Sequence, residues 1–372
     1  MYIESLELSD YRNYSNLNID FDYGTNILYG DNAQGKTNIL ESIYLCGTTK
    51  SHRGSKDREI INFNSDESHI KMFINKNGIS QRIDMHLKKS KSKGIAINGV
   101  PIRKISELLG IINIIFFSPE DLNIIKNGPS ERRKFIDIEL CQLDKIYLHN
   151  LMKYNKILEQ RNKLLKEIHF NYDKSLADTL DVWDVQLSDY GIKIIKRREE
   201  FINHINKIIY GIHKNLSGGK EELSIKYEPN SDVGIFRQSL ENNREKDIYL
   251  KTTSAGPHRD DIGFYIHGID VRKYGSQGQQ RTCALSLKLS EIEIVKNMIG
   301  DVPVLLLDDV LSELDSSRQN HLLESLDGIQ TIITCTGLDE FIENKIHAKK
   351  IYKVEKGTVN SCTGPLQNQQ SD

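Results

Sequence analysis

The run Gly30-Asp31-Asn32-Ala33-Gln34-Gly35-Lys36-Thr37 fits the pattern G-x-x-x-x-G-K-[ST]. No other feature restricts the fold as strongly. Such a loop works between a strand that delivers it and a helix that follows it. The flanks supply both. Asn26-Ile27-Leu28-Tyr29 reads as a short buried strand, and Ile39, Leu40, Ile43 and Tyr44 fall at helical spacing across residues 38–46. Glycines let the backbone curl so that N–H groups converge on phosphate oxygens, and the helix adds its positive end. Lys36 is placed to reach the β- and γ-phosphates, and the Thr37 hydroxyl to ligate Mg2+. The expected ligands are ATP and Mg2+, with residues 30–37 cradling the nucleotide.

A second half of the site is legible far downstream. Residues 302–307 form a continuous apolar run ending in Asp308 and Asp309. A buried strand would deliver Asp308 to its carboxyl end to support the metal, and Asp309 is placed to orient or deprotonate an attacking water. Ser276-Gln277-Gly278-Gln279-Gln280-Arg281 precedes a helix with Leu285, Leu289, Ile292 and Val295 on one face. A Ser and a Gly at a helix start make another anion site. In ATP-binding-cassette proteins the signature Ser and Gly reach across a dimer to the γ-phosphate held by the partner. Ser312-Glu313-Leu314-Asp315 stands at that class's D-loop position.

Between these motifs the chain changes character. Residues 71–100 read as β segments split at Asn77-Gly78 and Asn98-Gly99, which are hairpin signals, so an antiparallel arm is expected there. Tyr147, Leu151, Tyr154, Leu158, Arg161, Leu165 and Ile168 step by fours and threes. So do Leu180, Trp183, Leu187, Tyr190, Ile194, Arg197, Phe201, Ile205, Ile208 and Ile212. Two such runs of ~30 residues, or ~45 Å of helix each, predict an antiparallel helical hairpin with Arg161 and Arg197 in its seams. The pattern returns to α/β after residue 250, and residues 330–335 read as another buried strand. The expected organisation is residues 1–118 as the N-terminal part of the ATPase head with its arm, 119–250 as a helical lid, 251–360 as the C-terminal part of the head, and 361–372 as a polar tail.

Composition excludes some classes. The chain is 38% apolar and 27% charged, without an apolar run long enough to span a bilayer, which predicts a cytoplasmic protein without a membrane partner. The five scattered cysteines show no zinc or disulfide spacing. Net charge is −2, yet residues 71–104 hold nine Lys or Arg against one acid, Asp84. That run, with Arg132, Arg133, Lys134, Lys196, Arg197 and Arg198, is the candidate DNA surface. No base-reading helix is evident, so contact with DNA would follow form over sequence.

About 270 residues separate the phosphate loop from the Asp-Asp strand. With the signature between them, that order resembles the SMC/Rad-fifty-type branch of ABC ATPases, where a helical insertion splits the head. Tyr11-Arg12-Asn13-Tyr14, Gly128-Pro129-Ser130-Glu131-Arg132-Arg133-Lys134-Phe135, Gln160-Arg161-Asn162 and Gly256-Pro257-His258-Arg259 extend the resemblance, over nearly the whole chain, to the RecF family of bacterial recombination mediators. The resemblance implies an α/β ABC-type head that dimerises with ATP, a weak DNA-stimulated ATPase, and binding to duplex and single-strand–duplex DNA without sequence specificity. It implies action in replication and recombinational repair with RecR, and with RecO as a further partner. By the same resemblance Lys36, Asp309 and Ser276 are catalytic, Arg12, Ser276, Gly278 and Gln279 join the nucleotide site, and Thr37 and Asp308 serve the metal. Asp309 stands where the class usually has Glu, and hydroxyls near Thr334-Cys335-Thr336 stand where a switch His is usual. Both departures predict slow turnover. Ser118-Pro119-Glu120-Asp121 lies roughly where a Q-loop belongs, and His258 with Arg259 is a candidate link between nucleotide and lid. A transporter-type ATPase subunit is the alternative; it would want a Glu after the metal Asp and a switch His. A small-molecule kinase would have no use for a trans signature.

Overall fold

The computed structural model describes residues 1–171, 173–337 and 346–362. Two units separate by their contacts, residues 1–121 with 295–372, and residues 122–294.

The first unit contains two sheets. One is antiparallel, in the order β2 (Tyr14–Asp20), β1 (Tyr2–Tyr11), β4 (Glu67–Lys76), β5 (Ile79–Lys88), β6 (Lys91–Ile97) and β7 (Val100–Pro101). The Asn-Gly pairs turn as expected, with positive φ at Asn77, Gly78, Asn98 and Gly99, the geometry of two-residue hairpins. The expected arm is instead the middle of this sheet. Alternate residues Ile70, Met72, Ile74, Ile83, Met85 and Leu87 are buried in the same core as Leu40 and Ile43 of the phosphate-loop helix (Lys36–Thr48). Period-two burial fixes that face.

The other sheet runs β15 (Thr358–Ser361), β14 (Ala348–Glu355), β3 (Thr25–Tyr29), β13 (Thr331–Cys335), β12 (Val304–Asp308) and β8 (Ile114–Phe117). All pairs from β14 to β8 are parallel, and β15 is antiparallel. Strands β12, β13 and β8 are buried along their whole length, which explains the apolar runs of β12 and β8. Most of the polar tail, from residue 363, lies outside the described residues.

The second unit is built on helices Lys145–Phe170 and Leu180–Leu216. Arg161 bonds Asp184, and Tyr147 bonds Arg198, so the two run antiparallel. Arg161 is fully buried, paired to Asp184 and Asp247 at 2.7 Å each. The second seam arginine is Arg198, one residue beyond the expected Arg197. Arg198 is buried among Asp137, Asp260, Tyr147 and the Pro257 carbonyl, while Arg197 sits nearer the surface with Asp144. Simple spacing misplaces it because the buried stripe here takes Ile194, Ile195, Arg198, Phe201 and Ile202. The unit also runs past residue 250. Strand β10 (Asp261–Ile266) pairs with β9 (Leu223–Glu228) and β11 (Ile269–Asp270), and Cys283, Ala284 and Leu287 of the signature helix (Gln277–Ile299) enter its core.

Candidate nucleotide site

The parallel sheet brings three loops to the carboxyl ends of β3, β13 and β12, where open α/β sheets bind ligands. The loop after β3 needs its glycines. Gly30 has φ +150° and Gly35 φ +117°. A Cβ on Gly30 would strike the Val354 carbonyl, and one on Gly35 would lie 2.6 Å from Asn13 Nδ2 and 2.7 Å from the Tyr14 hydroxyl. Gln34 anchors the loop to the turn between β14 and β15. Its side chain accepts from the Lys356 N–H at 2.6 Å and its carbonyl from the Gly357 N–H at 3.2 Å. Asn13 donates to the same carbonyl at 3.0 Å and accepts from Asn38 at 2.8 Å. Lys36 is buried, and its Nζ donates to the carbonyls of Gly30 at 2.6 Å and Asp31 at 2.8 Å. The ammonium is thereby drawn across the loop.

Thr37 and Asp308, 271 positions apart in sequence, meet in one hydrogen bond, with Thr37 Oγ1 donating to Asp308 Oδ1 at 2.8 Å. Thr334 Oγ1 donates to the same oxygen at 2.8 Å and accepts from the Asp309 N–H at 3.0 Å. Register explains this: Thr334 stands opposite Asp308 in the β12–β13 pair. Burial raises the Asp308 pKa, the two hydroxyls offset part of that, and Asp309 adds to it. A desolvated carboxylate beside a hydroxyl, both hard oxygen donors, fits Mg2+, which relieves the buried charge. Asp309 has φ +52°, and its carbonyl accepts from Ser312 Oγ. Its backbone is thus held on both sides while its side chain remains part-exposed. Replacing Thr334 with Val would strand the Asp309 N–H and remove a donor from Asp308. The expected cost is about 1–3 kcal/mol, read as a lowered urea midpoint with an unchanged denaturant slope.

Other expected residues fall elsewhere. Arg12 makes a bidentate pair with buried Glu41 at 2.8 Å and 2.8 Å, and also bonds Ser55 and the Glu59 carbonyl. None of these partners of Arg12 belongs to the phosphate loop. Its neighbour Asn13 is the residue that touches the loop. In the second unit, Ser276 is exposed and forms a reciprocal cap with Gln279. The Ser276 N–H donates to Gln279 Oε1 at 2.9 Å, and the Gln279 N–H to Ser276 Oγ at 3.2 Å. Gly278 beside it is exposed too. Ser118 and Asp121 close a turn after β8, the Ser118 N–H donating to Asp121 Oδ2 at 2.7 Å. His258 sits in a hydrogen-bonded cluster, with Nδ1 2.7 Å from the Tyr154 hydroxyl and Nε2 3.0 Å from the Thr253 carbonyl, and burial lowers its pKa to about 4.

The basic surface is much reduced. Lys71, Lys88, Lys89 and Lys93 pair with Glu7, Glu67, Asp66 and Asp57, and Arg82 pairs with Asp84. Lys76 donates to the carbonyls of Gly110 and Ile111. Arg132 and Arg198 are buried and ion-paired, and Arg133 donates to the Asp260 carbonyl. Apart from Asp84, the acids that pair with this run lie outside it, so counting charge along residues 71–104 overstates the patch.

The RecF/RecN/SMC N-terminal domain family matches residues 2–360. The "DNA replication and repair protein RecF" of Lachnoclostridium phytofermentans (strain ATCC 700394 / DSM 18823 / ISDg) is 64% identical over 359 residues, covering 96% of this chain and 99% of that protein. The chain belongs to the RecF family. Among solved structures, the recombination mediator protein RecF-ATP in the RecFOR pathway superposes with TM-score 0.90 at 36% identity, covering 97% of this chain and 98% of that one. The Smc head domain bound to the C-terminal domain of ScpA, from Pyrococcus furiosus, superposes at 0.56 with 17% identity, a likeness of fold alone. The RecF-family fold is therefore the α/β ABC-type ATPase head of SMC proteins, and the family binds ATP. Among the described residues no helix is long and apolar enough to cross a membrane.

Proposed function

We propose that this RecF-family chain is an ATP-gated DNA-binding protein of replication and recombinational repair. The observation that carries this reading is the Thr37–Asp308–Thr334 cluster at the phosphate loop, with Asp309 adjoining it. Residues 30–37 cradle the phosphates of ATP, and Lys36 neutralises their charge. Thr37 and Asp308 hold Mg2+, which supplies charge neutralisation at the transferred phosphoryl group. Asp309 orients the attacking water and takes its proton. One carboxylate methylene fewer than Glu, and a threonine where a switch His is usual, favour slow turnover.

The exposed Ser276 cap points to a second role. A capped helix start with an exposed serine is suited to the γ-phosphate held by another copy of the chain. ATP would then close a homodimer around DNA, with hydrolysis resetting it. A relative named a DNA replication and repair protein, and a solved recombination mediator of the RecFOR pathway, support DNA as the ligand; RecR, with RecO as a further partner, and a role in recombinase loading follow from the family resemblance. Binding would be phosphate-driven and salt-dependent, on duplex and single-strand–duplex junctions. The test is Ser276→Arg. Mant-ATP fluorescence should report near-normal ATP binding, while sedimentation should report loss of the ATP-dependent dimer. A variant that still dimerises with ATP would remove the trans role.

A further inference from the structure

The solvent face of the antiparallel sheet carries a cluster that the nucleotide chemistry leaves unused. His69 and His86 stand directly opposite each other on β4 and β5. Their rings stack with centroids 4.0 Å apart and an interplanar angle of 23°. Glu67, two residues before His69 on the same face, puts Oε2 2.6 Å from His86 Nε2. One ligand atom from each of the three residues lies within 4.8 Å of the others. Lys88 holds the second Glu67 oxygen at 2.8 Å. Opposite His86 on β6 stands Gly94, which has no side chain to cover the site.

We propose that Glu67, His69 and His86 form a binding site for a divalent transition-metal ion of the Zn2+, Ni2+ or Co2+ class. Two imidazoles and one carboxylate are the donor set those ions prefer, whereas Mg2+ and Ca2+ prefer oxygen alone. The phosphate loop and this cluster therefore select different metals. Ligand atoms around a tetrahedral ion lie about 3.3 Å apart, given metal–ligand distances near 2.0–2.1 Å. Rotation of exposed side chains closes the remaining gap without moving the strands. Lys88 fixes the carboxylate from behind in the manner of an outer-shell partner. Water completes the coordination on the Gly94 side, and the bound ion joins β4 to β5.

The test uses the full chain without nucleotide. Titration with Co2+, followed by visible absorption and by competition with a chromophoric chelator, should give one site at micromolar metal, without the thiolate charge-transfer band that cysteine ligands produce. Millimolar Mg2+ should not displace it. His69→Gln and His86→Gln should each weaken binding at least about tenfold, a loss typical of removing a ligand or its support. Zn2+ should raise the thermal midpoint of the wild type and leave the double variant unmoved. Circular dichroism of the metal-free variants checks that they fold. Unchanged Co2+ affinity in the folded double variant would overturn the proposal, as would a thiolate band in the wild type.

Discussion

Lys36→Ala should reduce ATP affinity by roughly 10²–10⁴-fold. The Lys36 ammonium is buried and held by the carbonyls of Gly30 and Asp31. In the bound state those weak acceptors are exchanged for two phosphate groups. Charge-assisted hydrogen bonds are worth about 1.5–3 kcal/mol each, so two of them account for a change of that size. The fold should survive. The loop's other anchors are independent of Lys36: Gln34 to Lys356 and Gly357, and Asn13 to Gln34 and Asn38. Fluorescent-nucleotide titration measures the loss, and a near-normal melting temperature shows that it comes from the site. Retained binding at normal affinity would remove the loop from the account.

Asp309→Asn should lower ATP turnover by roughly 10²–10⁴-fold and leave ATP binding intact. Loss of a positioned general base has about that effect. Asn is isosteric, and like Asp it tolerates the left-handed backbone that φ +52° requires. The hydrogen bonds from the Asp309 N–H to Thr334 and from Ser312 to the Asp309 carbonyl involve backbone atoms, so the substitution keeps them. Only basicity is lost. The variant should accumulate with ATP bound. Phosphate release in single turnover measures the effect, and turnover within a few-fold of wild type would take the base role from Asp309.

Much of the site was legible in the sequence because its parts are local. The phosphate loop and the β12 strand ending in Asp308 and Asp309 each announce themselves within ten residues. What holds them together was not legible. Gln34 meets Lys356 and Gly357, and Thr334 bridges Asp308 and Asp309, through sheet register that no local pattern encodes. Arg12 looked available for phosphate because its partner Glu41 lies 29 residues away inside a helix. The basic run looked bare for the same reason, since Glu7, Asp57, Asp66 and Glu67 lie outside it. In the hairpin, heptad spacing found the helices and Arg161. It missed Arg198, where an ion-paired cluster with Asp137 and Asp260 replaces an apolar seam position. The residues that mislead are long charged side chains, whose partners are set by tertiary structure.

On the function proposed, ATP bound at residues 30–37 should control both self-association and DNA binding. Sedimentation velocity of the Asp309→Asn protein, with a labelled single-strand–duplex junction in the same cell, tests it with and without Mg2+ and ATP. The expected result is a monomer that leaves the DNA free in the absence of ATP, and a dimer carrying the DNA in its presence. A species that stays monomeric with ATP, or that binds the junction equally well without it, would contradict the account.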